Sequence, residues 1–225
     1  MRLNEIDKTE ALRYMGHKSG NPIAEVTLLL ERCEKLIVND IRPLYVYREA
    51  SLEKTCDGIK ICGSNLILCG NDIAKHLKDC TKAVVFAATL TADADRLIRH
   101  AEASDVAEAF AIDALCSAAI EQVCNRAEDE IFEKYDANIF RTFRYSPGYG
   151  DLPLEIQKSL CNYLNAQRRI GLTVTDDFLM IPRKSVTAII GISEKPLEKH
   201  GGCEVCNMRQ SCAFSKLNGG KGCRK

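Results

Sequence analysis

Arg144-Tyr145-Ser146-Pro147-Gly148-Tyr149-Gly150-Asp151-Leu152-Pro153 is the stretch on which the reading of this chain turns. Its ten residues hold one guanidinium, two aromatic rings, two Gly and two Pro. Proline fixes φ and glycine permits positive φ, so this backbone is bent and specified rather than a linker. A loop of this kind can hold an Arg fork and peptide N–H and C=O groups in fixed directions. Such groups suit a small ligand that carries a carboxylate and a polar ring. The same ten residues also read as a tight surface turn, and the local pattern does not choose between the two.

Downstream of the loop, Leu154 to Gln167 has the period of an amphipathic helix with Ile156, Leu160, Tyr163 and Leu164 inward, ended by Gly171. Leu172–Thr175 and Phe178–Pro182 are short and β-prone, and Ser185–Ile192 is the last clear strand. Upstream, residues 4–16 and 23–38 have helical spacing, and Leu44–Tyr47 reads as a strand. Ile59–Cys62 and Asn65–Cys69 read as two strands about Gly63-Ser64, with Asp72 as N-cap of a helix to Leu77. Ala83-Val84-Val85-Phe86-Ala87-Ala88 is a continuous apolar run and predicts a buried central strand. A short helix over Asp95–His100 follows, and then a long one, capped by Ser104 and running to about Lys134. Ile112, Leu115, Ala119 and Val123 form one stripe of it.

Glu108 lies on that stripe, four residues before Ile112. An inward carboxylate needs a partner, which makes it a candidate acceptor for a cation or ammonium. Its place in the first turns of a helix also fits a surface Glu favoured by the helix dipole. At the other end of the chain, apolar periodicity stops near 195–200. Cys203, Cys206, Cys212 and Cys223 then follow with the spacing C-x2-C-x5-C-x10-C. A C-x2-C turn aims two thiolates at one ion, and two more complete a tetrahedral set for zinc or an iron–sulfur cluster. The tail has few large apolar residues, so a metal would supply its folding energy. A metal-free tail is the alternative, and the spacing does not separate zinc from iron–sulfur. The other eight Cys are scattered singly, and most of them read as small buried hydrophobes.

Composition excludes several classes. Lys+Arg and Asp+Glu number 31 each, so formal charge is zero, and no long basic block suits nucleic acid. No apolar run approaches the roughly 18 residues of a membrane span. The N-terminus MRLNEIDKTE lacks an apolar signal core, and with 12 Cys the chain is expected in the reducing cytoplasm. There is no G-x-G-x-x-G after a strand, no phosphate loop and no G-x-S-x-G elbow. His17, His76, His100 and His200 are isolated and read as surface or capping residues.

Arg144-x-x-Pro147-Gly148-Tyr149-x-x-x-Pro153 resembles the R-x-x-P-G-Y-x-x-x-P loop of the activation domain of cobalamin-dependent methionine synthase. Gly171 to Pro182 is similar to its G-x-x-L-T-x-x-F-x-M-x-P segment, with Val174 in the Leu place. Ser185–Ala188 resembles its S-V-S-G, and Glu108–Ala111 its E-A-F-A at the head of a long helix. The resemblance is strongest over about 104–192. It implies an α+β fold with a twisted, largely antiparallel sheet and packed helices over 1–198, followed by a Cys-rich tail at 199–225. Periodicity alone would also permit an α/β fold.

The resemblance further implies S-adenosylmethionine as ligand. Arg144 would pair with its carboxylate and Glu108 with its amino group, while the backbone around Tyr145, Pro147, Gly148 and Tyr149 would line the adenosine. The implied function is reductive reactivation of cob(II)alamin on a separate methionine synthase, with a methyl group from S-adenosylmethionine and one electron from a donor. The Cys tail is then expected to relay that electron or to dock the partner. A regulatory module that binds S-adenosylmethionine, or an activator of another corrinoid methyltransferase, is the competing expectation. One departure stands out: the Tyr-containing segment that follows S-V-S-G in the family has no counterpart in Glu194-Lys195-Pro196-Leu197.

Overall fold

In the computed structural model, which describes residues 1–17, 22–136 and 138–197, each helical period and each apolar run read from the sequence has become a helix or a strand. The order is α1 (Lys8–Tyr14), α2 (Ala24–Asp40), β1 (Leu44–Thr55), β2 (Gly58–Ile61), β3 (Ile67–Leu68), α3 (Asn71–His76), β4 (Lys82–Thr89) and α4 (Thr91–Glu102). It continues with α5 (Val106–Phe132), β5 (Phe140–Arg141), α6 (Ile156–Leu164), α7 (Ala166–Ile170), β6 (Thr173–Val174), β7 (Met180–Ile181) and β8 (Ser185–Ser193). The chain forms two compact units, each built from three separate stretches. The expected boundary at 198 and the whole Cys tail lie outside the described residues.

The first unit comprises 1–46, 87–135 and 161–187. Its axis is α5, against which α1, α2 and α4 pack. Ile112, Leu115, Ala119 and Val123 are all buried, as their spacing predicts, together with Ala111, Cys116, Ala118 and Ile120. So many small side chains let neighbouring helices approach closely on more than one side. The cap of α5 is Asp105 and not Ser104. Asp105 is extended (φ −149°), and its Oδ1 accepts the N–H groups of Ala107 at 2.9 Å and Glu108 at 3.2 Å. Ser104 instead ends α4, with its own N–H on the Ala101 carbonyl at 3.0 Å.

Other boundaries differ from expectation as well: β1 runs on to Thr55 past Tyr47, and α4 opens at Thr91 before Asp95. Helix α1 starts at Lys8 because Asp7 caps it, accepting from Thr9 and Glu10 N–H. The single helix expected over 154–167 is broken at Asn165, which takes a left-handed conformation (φ 55°), and α7 then runs to Gly171. Asn tolerates that region because its short polar side chain bonds locally.

The second unit comprises 47–86, 136–160 and, among the described residues, 188–197. Its sheet has the order β3-β2-β1-β4-β8-β5. Pairs β1–β2, β2–β3 and β5–β8 are antiparallel. Strand β8 also runs against β4, since Thr81 N–H donates to Ile192 O and Leu90 N–H to Lys184 O. The α+β expectation therefore holds. Strand β4 is buried at every position from Ala83 to Thr89, which is what a continuous apolar run requires of a central strand. Strands β1, β4 and β8 each pass from the residues of one unit into those of the other.

Candidate functional site

The Arg144 loop leaves the sheet at β8. Tyr145 and Ile189 exchange N–H···O bonds of 2.9 Å in both directions, so the loop starts from a fixed backbone position. It then turns on itself. Tyr149 N–H donates to Ser146 O at 3.0 Å, Leu152 N–H to Tyr149 O at 3.0 Å and Gly148 N–H to Leu152 O at 2.9 Å. Tyr145, Pro147 and Leu152 are buried, Arg144 is half-buried, and Gly148, Tyr149 and Gly150 are exposed. This corrects one expectation: the N–H groups of residues 145, 148, 149 and 152 are spent within the structure and do not point at a ligand. The Tyr149 ring (37% exposed) and the glycine backbone are exposed, and Arg144 is half-buried.

Helix α3 holds this loop. Asp72 was the expected N-cap, but the cap position is Gly70, which has no side chain to give. The capping carboxylate comes from the loop itself: Asp151 accepts Asn71 N–H at 2.6 Å and Asp72 N–H at 3.0 Å. The approach is close enough to demand glycine on both sides. A Cβ on Gly70 (φ 137°) would run into the Asp151 carboxylate, and one on Gly150 (φ 54°) into the Tyr145 hydroxyl and the Asp72 carboxylate.

At the other end of α3, His76 is buried, and its Nε2–H donates to the Phe143 carbonyl at 3.0 Å. Its ring packs edge-on to Phe143 (centroids 4.4 Å) and tilted against Tyr145 (4.8 Å). Tyr149 meets Tyr145 edge-to-face at 5.5 Å. Burial, followed by the nearby Asp72 and Asp151 carboxylates, pushes the Tyr145 hydroxyl up to about 12, so it stays a neutral phenol.

Glu108 belongs to the first unit. It is half-buried rather than deep in the stripe, in the first turn of α5, and its cation there is Arg32 of α2 at 3.2 Å. The inward reading of Glu108 therefore gives way to a dipole-favoured Glu paired at the surface. It also raises the neighbouring Cys33 thiol, which burial first of all pushes up to about 11.

Residues 70–198 match the family model described as the vitamin B12 dependent methionine synthase activation domain. This chain belongs to that family. No curated protein matches it. Among solved structures it is similar to the crystal structure of the MetH reactivation domain bound to AdoHcy, with a TM-score of 0.63 and 16% identity over 86% of this chain and 75% of that one. At that identity the likeness establishes the activation-domain fold. The family match opens at Gly70, so it takes in α3 and the loop that caps it.

Within this activation domain, sequence reasoning missed His76, Asp151 and Arg32. His76 was taken for a surface or capping residue, yet it is the buried contact of the loop. No local signal marks Asp151 as a cap, because its helix lies about 80 residues upstream. Of the eight described cysteines, Cys33, Cys80, Cys116, Cys124 and Cys161 are buried free thiols, while Cys56 and Cys69 are exposed. Among the described residues no group of three His, Cys, Asp or Glu could hold a metal. The candidate ligands Cys203, Cys206, Cys212 and Cys223 lie outside them. No helix among the described residues is long and apolar enough to cross a membrane.

Proposed function

We propose that this activation-domain protein binds S-adenosylmethionine through the Arg144–Pro153 loop and supports reductive methylation of cobalamin on a separate methionine synthase or its corrinoid module. Membership of the methionine synthase activation-domain family carries the proposal. The loop's chemistry supports it. The Arg144 guanidinium is a planar fork suited to a ligand carboxylate. The exposed Tyr149 ring can stack on a purine, and the backbone at Pro147 and Gly148 can approach it closely. The similar MetH reactivation domain was solved with AdoHcy, which is what S-adenosylmethionine becomes when its methyl group leaves.

The protein's part is binding and orientation. Arg144 fixes the amino-acid end, Tyr149 the base, and the sulfonium methyl is thereby held at a defined place. In the transfer the sulfur keeps the C–S bond pair, and an electron donor supplies the one electron the reaction consumes. The corrinoid, resident on the partner, supplies the cobalt that takes the methyl group.

Calorimetry with anaerobically purified protein tests the reading. Wild type is expected to bind S-adenosylmethionine, and Arg144→Ala to lose about 2 kcal/mol, as for a charged hydrogen-bonded partner. No binding by wild type overturns the proposal. The same titration on Glu108→Gln decides whether that carboxylate serves the ligand, and an unchanged affinity removes it from the site. Protein that binds the ligand but yields no methylcobalamin with a cobalamin-dependent methionine synthase and a reductant is a regulatory module instead.

A further inference from the structure

Helix α3 grips the Arg144 loop at two points, and these bracket the side chains that carry the proposed ligand contacts. At its first turn the N–H groups of Asn71 and Asp72 donate one each to the two carboxylate oxygens of Asp151, at 2.6 and 3.0 Å. At its last turn His76 donates to the Phe143 carbonyl at 3.0 Å. Arg144 follows Phe143 directly, and Tyr149 lies two residues before Asp151. A carboxylate spread across two successive peptide N–H groups fixes direction as well as distance, and such charge-assisted bonds are the strong ones. The helix gains as well: six residues are too few to persist alone.

We propose that Asp151 is the positioning residue of the S-adenosylmethionine site. By clamping the loop to the first turn of α3, it holds the Arg144 guanidinium and the Tyr149 ring at the separation the ligand requires. This rests on the ligand reading above. Asp151 acts through the loop backbone and not on the ligand. Gly70 and Gly150 are the complementary half of the device, since a side chain at either would collide with the groups the clamp brings together. The six-residue helix thus serves as a splint for the loop.

The test uses the full chain with Asp151→Ala, which removes both acceptors, and Asp151→Asn, which keeps one oxygen acceptor. Its first arm is amide hydrogen exchange on ligand-free protein. In Asp151→Ala the N–H groups of Gly148, Tyr149 and Leu152 are expected to exchange faster, and in Asp151→Asn, whose single oxygen can hold only one of the two N–H groups, to fall between Ala and wild type. If only Asn71 and Asp72 speed up, Asp151 is merely a helix cap and the proposal falls.

The second arm is calorimetric titration with S-adenosylmethionine at a temperature where all variants are folded. Asp151→Ala is expected to bind roughly fivefold to tenfold more weakly, the order of a lost cap, with affinity partly restored in Asp151→Asn. Lowered melting temperature with unchanged affinity overturns the proposal. Wild type that binds nothing sinks the ligand reading, and the exchange arm then still decides whether Asp151 positions the loop.

Discussion

Helix α5 and the Arg144 loop are both fixed in place, by opposite means. The helix is held by area: thirteen of its side chains are buried, and all of them are Ala, Ile, Leu, Val or Cys. Its polar attachments are spread along it, from the Asp105 cap through Lys184 on Asp113 (2.9 Å) and Ser117 (2.8 Å) to Arg126 on the Arg2 carbonyl (2.7 Å), and they add to that area. The loop between Arg144 and Pro153 buries only Tyr145, Pro147 and Leu152. It is held by direction, through paired hydrogen bonds to Ile189, to α3 and to itself. Packing tolerates small shifts by repacking, whereas a directional bond is lost once its geometry fails. The helix should therefore answer to lost volume and the loop to lost acceptors.

The largest effect expected from this contrast is on α5. Ile112 is fully buried, and Ile112→Ala should cost about 3 kcal/mol in urea unfolding, within the range for emptied core sites. A loss under about 1 kcal/mol would break the comparison, because it would mean that α5 is not held by area. Smaller is the cap. Asp105→Ala should cost about 1 kcal/mol and Ser104→Ala only a few tenths, a ratio that equilibrium denaturation can resolve. Equal losses would restore Ser104 as a cap.

The effect expected of the loop depends on pH. The folded protein keeps the Tyr145 proton up to about 12, whereas an unfolded tyrosine releases it near 10. Above about pH 10 the unfolded chain thus binds fewer protons than the folded one, so stability falls as pH climbs toward 12. Tyr145→Phe lacks that penalty. The difference in unfolding free energy between wild type and variant should shift against wild type between about pH 10 and pH 12. A difference that does not move with pH would mean that the loop leaves this hydroxyl in water.

The helical unit was legible in the sequence because its determinants are local. The 3.6-residue stripe Ile112, Leu115, Ala119 and Val123 needs only neighbours on one helix, and the run Ala83–Ala88 announces a central strand by itself. The loop was legible as a bent, specified segment, since Pro and Gly state their preferences locally. Its support was not. Asp151 and Asn71, or His76 and Phe143, are joined across tens of residues, and no period or spacing encodes such a pair. The partner of Glu108 was hidden for the same reason: the stripe marks a carboxylate that wants a cation, and only the fold brings Arg32 to it. Ser104 and Asp105 are both good caps by residue type, and the choice between them rests on where α4 ends.

The segmented layout of the two units has a consequence for how such a protein can be altered. Four of the five passages from one unit to the other fall inside β1, β4, α6 and β8, and the fifth, at 135/136, follows α5. No contiguous reading frame encodes either half. A truncation, a gene fusion or a recombination breakpoint meant to exchange one unit would cut through hydrogen-bonded strands and leave unpaired edges. Exchange between relatives is thus confined to single elements such as the Arg144 loop, and even that would have to travel together with α3.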